Sequence, residues 1–342
     1  MQPDFRSEIS QILQNGIAGG AFPGAVGHLS RRGETLFHEA RGNLGIEVPF
    51  LRAMAPDTLF DLASVSKIYT LCAAFSVLRE AKIDLDAPIS RFFPGFDPRI
   101  TIQLLMAHAS GISFAVQKLE HADAGDWIAQ IIAAPLQTEP GTTVLYSCTN
   151  FFLLARLAEH LSDESLDVLI EKRICAPLQL EKTTFEPKNL ENVAPTERKA
   201  DGDFFLGVVH DEAARSYRAQ TGNCAGNAGV FATASDVSRF AQIWANQGEN
   251  VLHPEDAARA FVPLFPENTY QRGFGFQINA AFYMSERAPF PTAGHTGFTG
   301  PSMFVTPGGD VAVVLNNRVH PTRSGPERMP FHRAVADAFF SL

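Results

Sequence analysis

The sequence lacks the long apolar segments and the excess of basic residues that membrane-spanning and nucleic-acid-binding proteins carry. Its longest apolar candidate, residues 68–78, is much shorter than the roughly 20 residues of a transmembrane helix. The formal net charge is −9, with 28 basic against 37 acidic residues among 342. Such a chain gains little from releasing counterions on DNA or on an anionic membrane. We therefore expect a folded globular protein with no membrane span and no nucleic-acid partner.

Paired cysteines are missing as well. The chain has four cysteines, without CxxC spacing and too few for a disulfide scaffold: Cys72, Cys148, Cys175 and Cys224. The first twenty residues carry Asp4 and Glu8, and they lack the basic start and apolar stretch of a targeting peptide. Reduced thiols and the missing signal together predict a cytoplasmic location.

Metal-binding motifs are also absent. None of the ten histidines lies in an HExxH pattern, and the run of His210, Asp211 and Glu212 has no partner at metal-ligand spacing. We expect neither a metal ion nor another cofactor.

Strand patterns lie at both ends of the chain. Residues 25–30 and 34–40 are short strand-like segments around a turn at Gly33, which indicates a hairpin. Residues 303–306 and 311–315 flank the turn sequence PGGD and indicate a second hairpin.

Helical spacing dominates the middle of the chain. Apolar residues recur at helical intervals over 68–78 and 151–161, and the last segment, 331–342, repeats the pattern. A further helix is predicted over 236–246, with Ser235 as N-cap and Gly248 just beyond its end. Residues 188–229 are polar and glycine-rich, which is typical of loops.

This order of elements predicts an α+β fold in which both chain ends build one antiparallel sheet. We place the sheet domain at residues 1–66 and 165–342, and an inserted helical domain at residues 67–164.

Three short motifs are candidates for chemistry, and each has an ordinary structural alternative. In SVSK, Ser64 and Lys67 lie three residues apart where a helix begins, so they share a face; a serine there is commonly only an N-cap. Tyr146 follows a polar loop and precedes a helix, where a tyrosine is often a packing residue. His295 lies within AGHTGFTG, whose glycines allow close approach of a ligand but also suit a β-bulge.

Taken together, in this order and spacing, the motifs resemble the active-site elements of the penicillin-binding protein and serine β-lactamase superfamily. The likeness is greatest to the group of class C β-lactamases, D-alanyl-D-alanine peptidases and family VIII esterases. It extends to residues 104–112, 225–231 and 315–321, and covers the chain from about residue 21 onward. The resemblance implies a β-lactamase-like fold, with an antiparallel sheet flanked by helices and an inserted all-helical domain.

The resemblance also implies a serine hydrolase acting on an ester, amide, peptide or β-lactam through an acyl-Ser64 intermediate. Lys67 and Tyr146 would handle the protons, and the backbone N–H groups of Ser64 and Phe298 would bind the oxyanion. The residues implied to line the substrate site are Cys148, His295, Thr296 and Gly297. Two assignments of the base stay open: a neutral Lys67 whose pKa is lowered by about 3 units, or a Tyr146 phenolate beside a charged Lys67.

Two positions depart from the family pattern. Cys148 replaces an asparagine that commonly binds the lysine and the substrate amide, and a thiol is a weaker donor. His295 replaces the lysine that is typical of class C β-lactamases. The change at Cys148 favours an ester or an unusual amide as substrate. The change at His295 does not decide the substrate, because HTG also occurs among the peptidases and esterases that the chain resembles.

Other interpretations stay open. Cys148 as nucleophile has no adjacent histidine to activate it. A protein that acylates on Ser64 but deacylates too slowly for turnover, a penicillin-binding sensor, is the alternative function. Residues 207–212 resemble segments of relatives that hydrolyse cell-wall fragments, and residues 113–126 and 188–229 are the expected specificity loops.

Overall fold

The computed structural model describes residues 4–265 and 271–342. A sheet of six antiparallel strands runs in the order β2-β1-β8-β7-β6-β5, and a separate pair joins β3 to β4. The strands are β1 Gly24–Arg31, β2 Glu34–Gly42, β3 Phe60–Asp61, β4 Phe231–Ala232, β5 Gln277–Ile278, β6 Ala293–Thr296, β7 Ser302–Val305 and β8 Asp310–Asn316. Both predicted hairpins are confirmed, as β1-β2 and β7-β8.

The two ends of the chain meet at the centre of the sheet, where β1 pairs with β8. Both strands are buried on both faces. Val313 and Leu315 point into the larger hydrophobic core, whereas Ala312 and Val314 point into a smaller core with the terminal helices. Both faces of this strand pair are therefore buried, except at the end where Arg31 pairs with Asp310, because helices cover both sides. The predicted α+β class is confirmed.

Twelve α-helices occupy the described ranges. They are α1 Phe5–Ala18, α2 Ser66–Glu80, α3 Ile102–Met106, α4 Trp127–Ala133, α5 Cys148–Ser162, α6 Leu166–Ile170, α7 Ala176–Leu178, α8 Glu212–Thr221, α9 Ala234–Ala245, α10 Pro254–Ala258, α11 Ala281–Met284 and α12 Met329–Phe339. Short 3-10 helices lie at Ala63–Val65, Ile89–Arg91, Val116–Leu119, Ala124–Asp126 and Arg259–Phe261, and a π-helical turn lies at Glu171–Cys175. No helix in these ranges has the length and apolarity needed to cross a bilayer.

Local capping corrects three predictions. The N-cap of α9 is Thr233, whose hydroxyl accepts from the Asp236 N–H at 3.2 Å, so the choice of Ser235 was wrong. Helix α5 begins at Cys148, because the Ser147 hydroxyl caps it. Residues 188–229 are not all loop: Asp211 accepts from the Ala214 N–H at 2.9 Å and starts α8.

The inserted helices and the sheet share one continuous apolar core. Tyr69 of α2 stacks on Phe240 of α9 with ring centroids 4.0 Å apart, and Phe75 meets Phe274 edge-on at 6.1 Å. The domain boundaries proposed from the sequence, 1–66 with 165–342 and 67–164, stay a prediction.

A buried histidine attaches α12 to the sheet. His332 hydrogen-bonds through both ring nitrogens, to Ser302 of β7 and to Asn316 of β8. Burial, with a smaller effect from the charge of Arg328, lowers the pKa of His332 to about 3. The neutral ring suits this position because it donates through one nitrogen and accepts through the other.

This histidine should make the fold sensitive to acid. The unfolded chain binds the proton near pH 6.5 and the folded chain only near pH 3, so the free energy of unfolding falls as the pH drops below 6.5. At pH 5 this one group lowers the free energy of unfolding by about 2 kcal/mol relative to its value well above pH 6.5. We expect His332→Gln to reduce the pH dependence of denaturant unfolding between pH 7 and pH 5 by about one proton. A variant with the slope of the unsubstituted protein would contradict this.

Candidate active site

A strained turn presents Ser64. The residue lies in the 3-10 helix Ala63–Val65, between β3 and α2, and its side chain is partly exposed. Ala63 has φ +45°, a left-handed conformation that costs energy for any residue with a Cβ. The buried Asp61 carboxylate accepts from the Ala63 N–H at 2.8 Å and from the His210 N–H at 2.7 Å. These two bonds hold the turn in place.

Lys67 lies one turn further along, fully buried, with its amine aimed at Ser64. Its Nζ donates to Ser64 Oγ at 3.0 Å, to the Asn227 carbonyl oxygen at 2.8 Å and to Cys148 Sγ at 3.4 Å. The three acceptors match the three N–H bonds of an ammonium group. The predicted contact between the first and last residues of SVSK is therefore present.

The protonation state of Lys67 follows from its surroundings. Burial alone lowers the pKa of Lys67, but interaction with the ionised forms of Cys148 and Tyr146 raises it to about 12. The first assignment left open by the sequence, a neutral Lys67 as the base, requires a lowered pKa instead. This direction and the three acceptors around Nζ both favour the ammonium form of Lys67.

Tyr146 lies above this lysine, with 41% of its surface exposed. Lys67 Nζ is 5.2 Å from its ring centroid, and Arg272 Cζ is 4.7 Å from the same centroid. The loop that carries the tyrosine is held from behind by His108: its Nδ1 accepts from the Ser147 N–H at 3.2 Å, and its carbonyl oxygen accepts from the Leu145 N–H at 2.7 Å.

The histidine of the third motif is buried in β6, with its ring centroid 6.0 Å from that of Tyr146. Its Nδ1 lies 2.8 Å from the Thr296 carbonyl oxygen, so this nitrogen carries the proton. Burial, helped by the charges of Arg272 and Lys67, holds the pKa of His295 well below its usual range. The ring is neutral and cannot bind a substrate carboxylate by charge.

The segment after His295 lies against the serine turn. A Cβ on Gly297 would be 2.4 Å from the Leu62 carbonyl oxygen, so only glycine fits. The Thr299 hydroxyl donates to the Asp61 carbonyl oxygen at 2.7 Å. Phe298 lies between these two anchors, so its backbone is held beside the turn that carries Ser64.

The sequence model of the Beta-lactamase family matches residues 9–337. The chain belongs to the Beta-lactamase family. It is a hydrolase of the serine β-lactamase and penicillin-binding type, which confirms the resemblance seen in its motifs.

Relatives within the Beta-lactamase family carry several activities in their names. The chain is 28% identical to the N-acetylmuramyl-L-alanine amidase of Bacillus subtilis (strain 168), over 94% of this chain and 83% of that protein. It is also 28% identical to a putative D-alanyl-D-alanine carboxypeptidase of Escherichia coli (strain K12), over 80% and 72%.

Solved structures share the fold at lower identity. EstCE1, a hydrolase with promiscuous acyltransferase activity, superimposes with a TM-score of 0.80 at 22% identity and 98% coverage of both chains. A D-stereospecific amidohydrolase from Streptomyces sp. gives a TM-score of 0.73 at 20% identity, also with 98% of both chains covered.

The structure places Lys67 in contact with Ser64, Cys148 and the Tyr146 ring, and it places His295 beside that ring. Gly297 lies against Leu62 in the turn before Ser64, and Thr296 and Phe298 are its chain neighbours. Sequence reasoning missed Asp61, His108, Asn227 and Arg272. Two of these had a signal, because His108 and Asn227 lie inside the segments 104–112 and 225–231 that carry the family likeness. Arg272 had none. Within the described ranges, no group of three or more His, Cys, Asp or Glu side chains could hold a metal ion.

The close approach of Gly297 gives a sharp test. Gly297→Ala should push Phe298 away from Ser64 and lower kcat/KM by about 10²–10³, the effect of losing one oxyanion donor. Gly308→Ala is the matched control, because a Cβ there meets only Thr306 Oγ1 at an ordinary 3.6 Å. Equal activity of the two variants in an ester hydrolysis assay would contradict the placement.

Proposed function

We propose that the protein cleaves an ester or amide bond through a covalent acyl-Ser64 intermediate, with Tyr146 as general base and Lys67 as a permanent cation. The observation that carries this proposal is the 3.0 Å contact from the Lys67 ammonium to Ser64 Oγ. Because Lys67 is the donor in that contact, the hydrogen of Ser64 is free to be passed to another group. Tyr146 is an ionisable residue whose ring lies beside the same ammonium, with Nζ 5.2 Å from the ring centroid.

The chemical steps balance without a cofactor. The Ser64 oxygen forms a bond to the substrate carbonyl carbon while its proton moves to the Tyr146 oxygen, and the carbonyl electrons move onto the oxyanion. The Tyr146 proton then goes to the leaving oxygen or nitrogen as its bond to carbon breaks. A water molecule attacks the acyl-enzyme by the same proton transfers and frees Ser64.

Two backbone donors are proposed for the oxyanion, the N–H groups of Ser64 and Phe298. Ser64 lies in the first turn that leads into α2, where N–H groups lack helical partners and the helix dipole favours negative charge. Thr299 and Gly297 fix the backbone of Phe298 on the other side.

Substrates without a carboxylate next to the reacting bond fit this site best. A neutral His295 offers no charge to a C-terminal carboxylate, and Cys148 uses its sulfur as an acceptor for Lys67 rather than as an amide donor. Both features favour esters and internal amides, such as the muramyl-alanine amide named for the Bacillus subtilis relative, over β-lactams and D-alanine termini.

The second candidate function is a sensor that acylates and deacylates slowly. The Cys148 substitution favours it, because the thiol replaces a side chain that helps position substrate and water in the resemblance described above. Steady-state turnover distinguishes the two, since a sensor releases one equivalent of product and then stops.

The proposed location is the cytoplasm. All four cysteines are free, and three of them are buried, as expected in a reducing compartment. The acidic net charge of −9 supports a small-molecule substrate rather than nucleic acid.

Ser64→Ala should abolish covalent labelling by a fluorophosphonate and all turnover of substrate. We expect the unsubstituted protein to hydrolyse p-nitrophenyl butyrate and an N-acetylmuramyl-L-alanine peptide at least about tenfold faster than nitrocefin or a D-alanyl-D-alanine peptide. Mass spectrometry of the trapped acyl-enzyme should place the adduct on the peptide that contains Ser64.

Ser66→Ala is the matched control, because Ser66 is the other serine of the motif and its buried Oγ accepts from the Val230 N–H at 3.0 Å. That variant should keep the label and lose about 1–3 kcal/mol of stability, because the buried Val230 N–H loses its acceptor. Labelling that survives in Ser64→Ala, or disappears in Ser66→Ala alone, would refute the nucleophile.

A further inference from the structure

A second cation lies against Tyr146 from outside the three motifs. Arg272 precedes β5, and its guanidinium carbon is 4.7 Å from the centre of the Tyr146 ring. Lys67 Nζ is 5.2 Å from the same centre. The tyrosine therefore touches two positive groups that come from distant parts of the chain.

Neither cation has a carboxylate partner among the described residues. Lys67 binds a hydroxyl, a carbonyl and a sulfur. Arg272 Nη1 is buried and has no acceptor at all. Two buried, unpaired positive charges are costly unless a negative charge lies between them. Tyr146 occupies that place.

Other groups around the tyrosine do not supply this charge balance. Burial, with the charges of Arg272 and Lys67, keeps the pKa values of His108 and His295 well below their usual range, so both rings are neutral. Cys148 faces Lys67 rather than the tyrosine ring, and Asp211 acts on Lys67 only as a minor charge. The groups that face Tyr146 are thus Lys67, Arg272, His108 and His295.

Direct binding of substrate by Arg272 conflicts with its burial. Only 8% of the residue is exposed, and Nη1 has no access to solvent. A substrate carboxylate would have to displace Tyr146 to reach it. The guanidinium can act on the reaction only through the ring that it touches.

We propose that Arg272 is a positioning residue that stabilises negative charge on the Tyr146 oxygen. It is the second cation of the site beside Lys67, because His295 is neutral. The inference rests on the proposed function, in which Tyr146 accepts the Ser64 proton as the bond from Ser64 Oγ to the carbonyl carbon forms. Arg272 takes no proton itself, because guanidinium stays charged at any pH of the assay.

The test compares Arg272→Gln with Arg272→Lys in the full-length protein. Removing the charge should lower kcat/KM for an ester by at least about tenfold with little change in KM. It should also move the ascending limb of the pH profile of kcat/KM upward by about one pH unit or more. Arg272→Lys should keep the limb close to that of the unsubstituted protein, because the positive charge remains.

Arg156→Gln is the control for losing a buried arginine on an aromatic ring. Arg156 lies 4.5 Å from the ring centroid of Tyr217, away from Ser64, and pairs with Glu159. It should lower thermal stability without moving the pH limb. If Arg272→Gln does not fold, Arg272→Met is the second uncharged variant and is subject to the same expectation.

Two failures are distinguishable. If Tyr146→Phe keeps most of the activity, the proposed base is wrong and the inference falls with it. If Tyr146→Phe is inactive but Arg272→Gln keeps the limb of the unsubstituted protein, or Arg272→Lys moves it as far as Arg272→Gln does, the proposed function stands and the role of Arg272 is overturned.

Discussion

The site depends on one buried ammonium group. Lys67 is fully buried and has no carboxylate partner among the described residues, so its charge is balanced by oriented acceptors: a serine oxygen, a backbone carbonyl and a thiol. A lone charge in this environment would be prohibitively costly. The start of α2, the start of α5 and the segment of Asn227 must therefore pack so that all three acceptors lie within hydrogen-bonding distance of Lys67 Nζ. The buried ammonium group of Lys67 thus takes part in both the chemistry of the site and the packing of these segments.

The two departures from the family pattern leave that arrangement intact. Cys148 begins α5 just after its cap and places a sulfur within reach of the lysine, at 3.4 Å. His295 keeps its proton on the nitrogen that faces its own strand and leaves Nε2 buried without a partner.

Much of this was readable from the sequence, for specific reasons. The contact of Ser64 with Lys67 follows from helical spacing alone, and both hairpins follow from their turn residues. The N-cap of α9 was missed because Thr233 and Ser235 are both good caps, and packing selects between them. The charge of Lys67 and the place of Arg272 depend on contacts between segments far apart in the chain, which no local pattern records.

The pairing of β1 with β8 has a consequence for how the protein is made. These strands come from opposite ends of the chain, yet they are neighbours at the centre of the sheet. During synthesis the inner edge of the β1-β2 hairpin has no partner until β8, which lies far later in the sequence, has been translated. Contacts of such long sequence separation slow folding. Until β8 has been translated, the nascent chain carries an open strand edge, which is a site for wrong strand pairing.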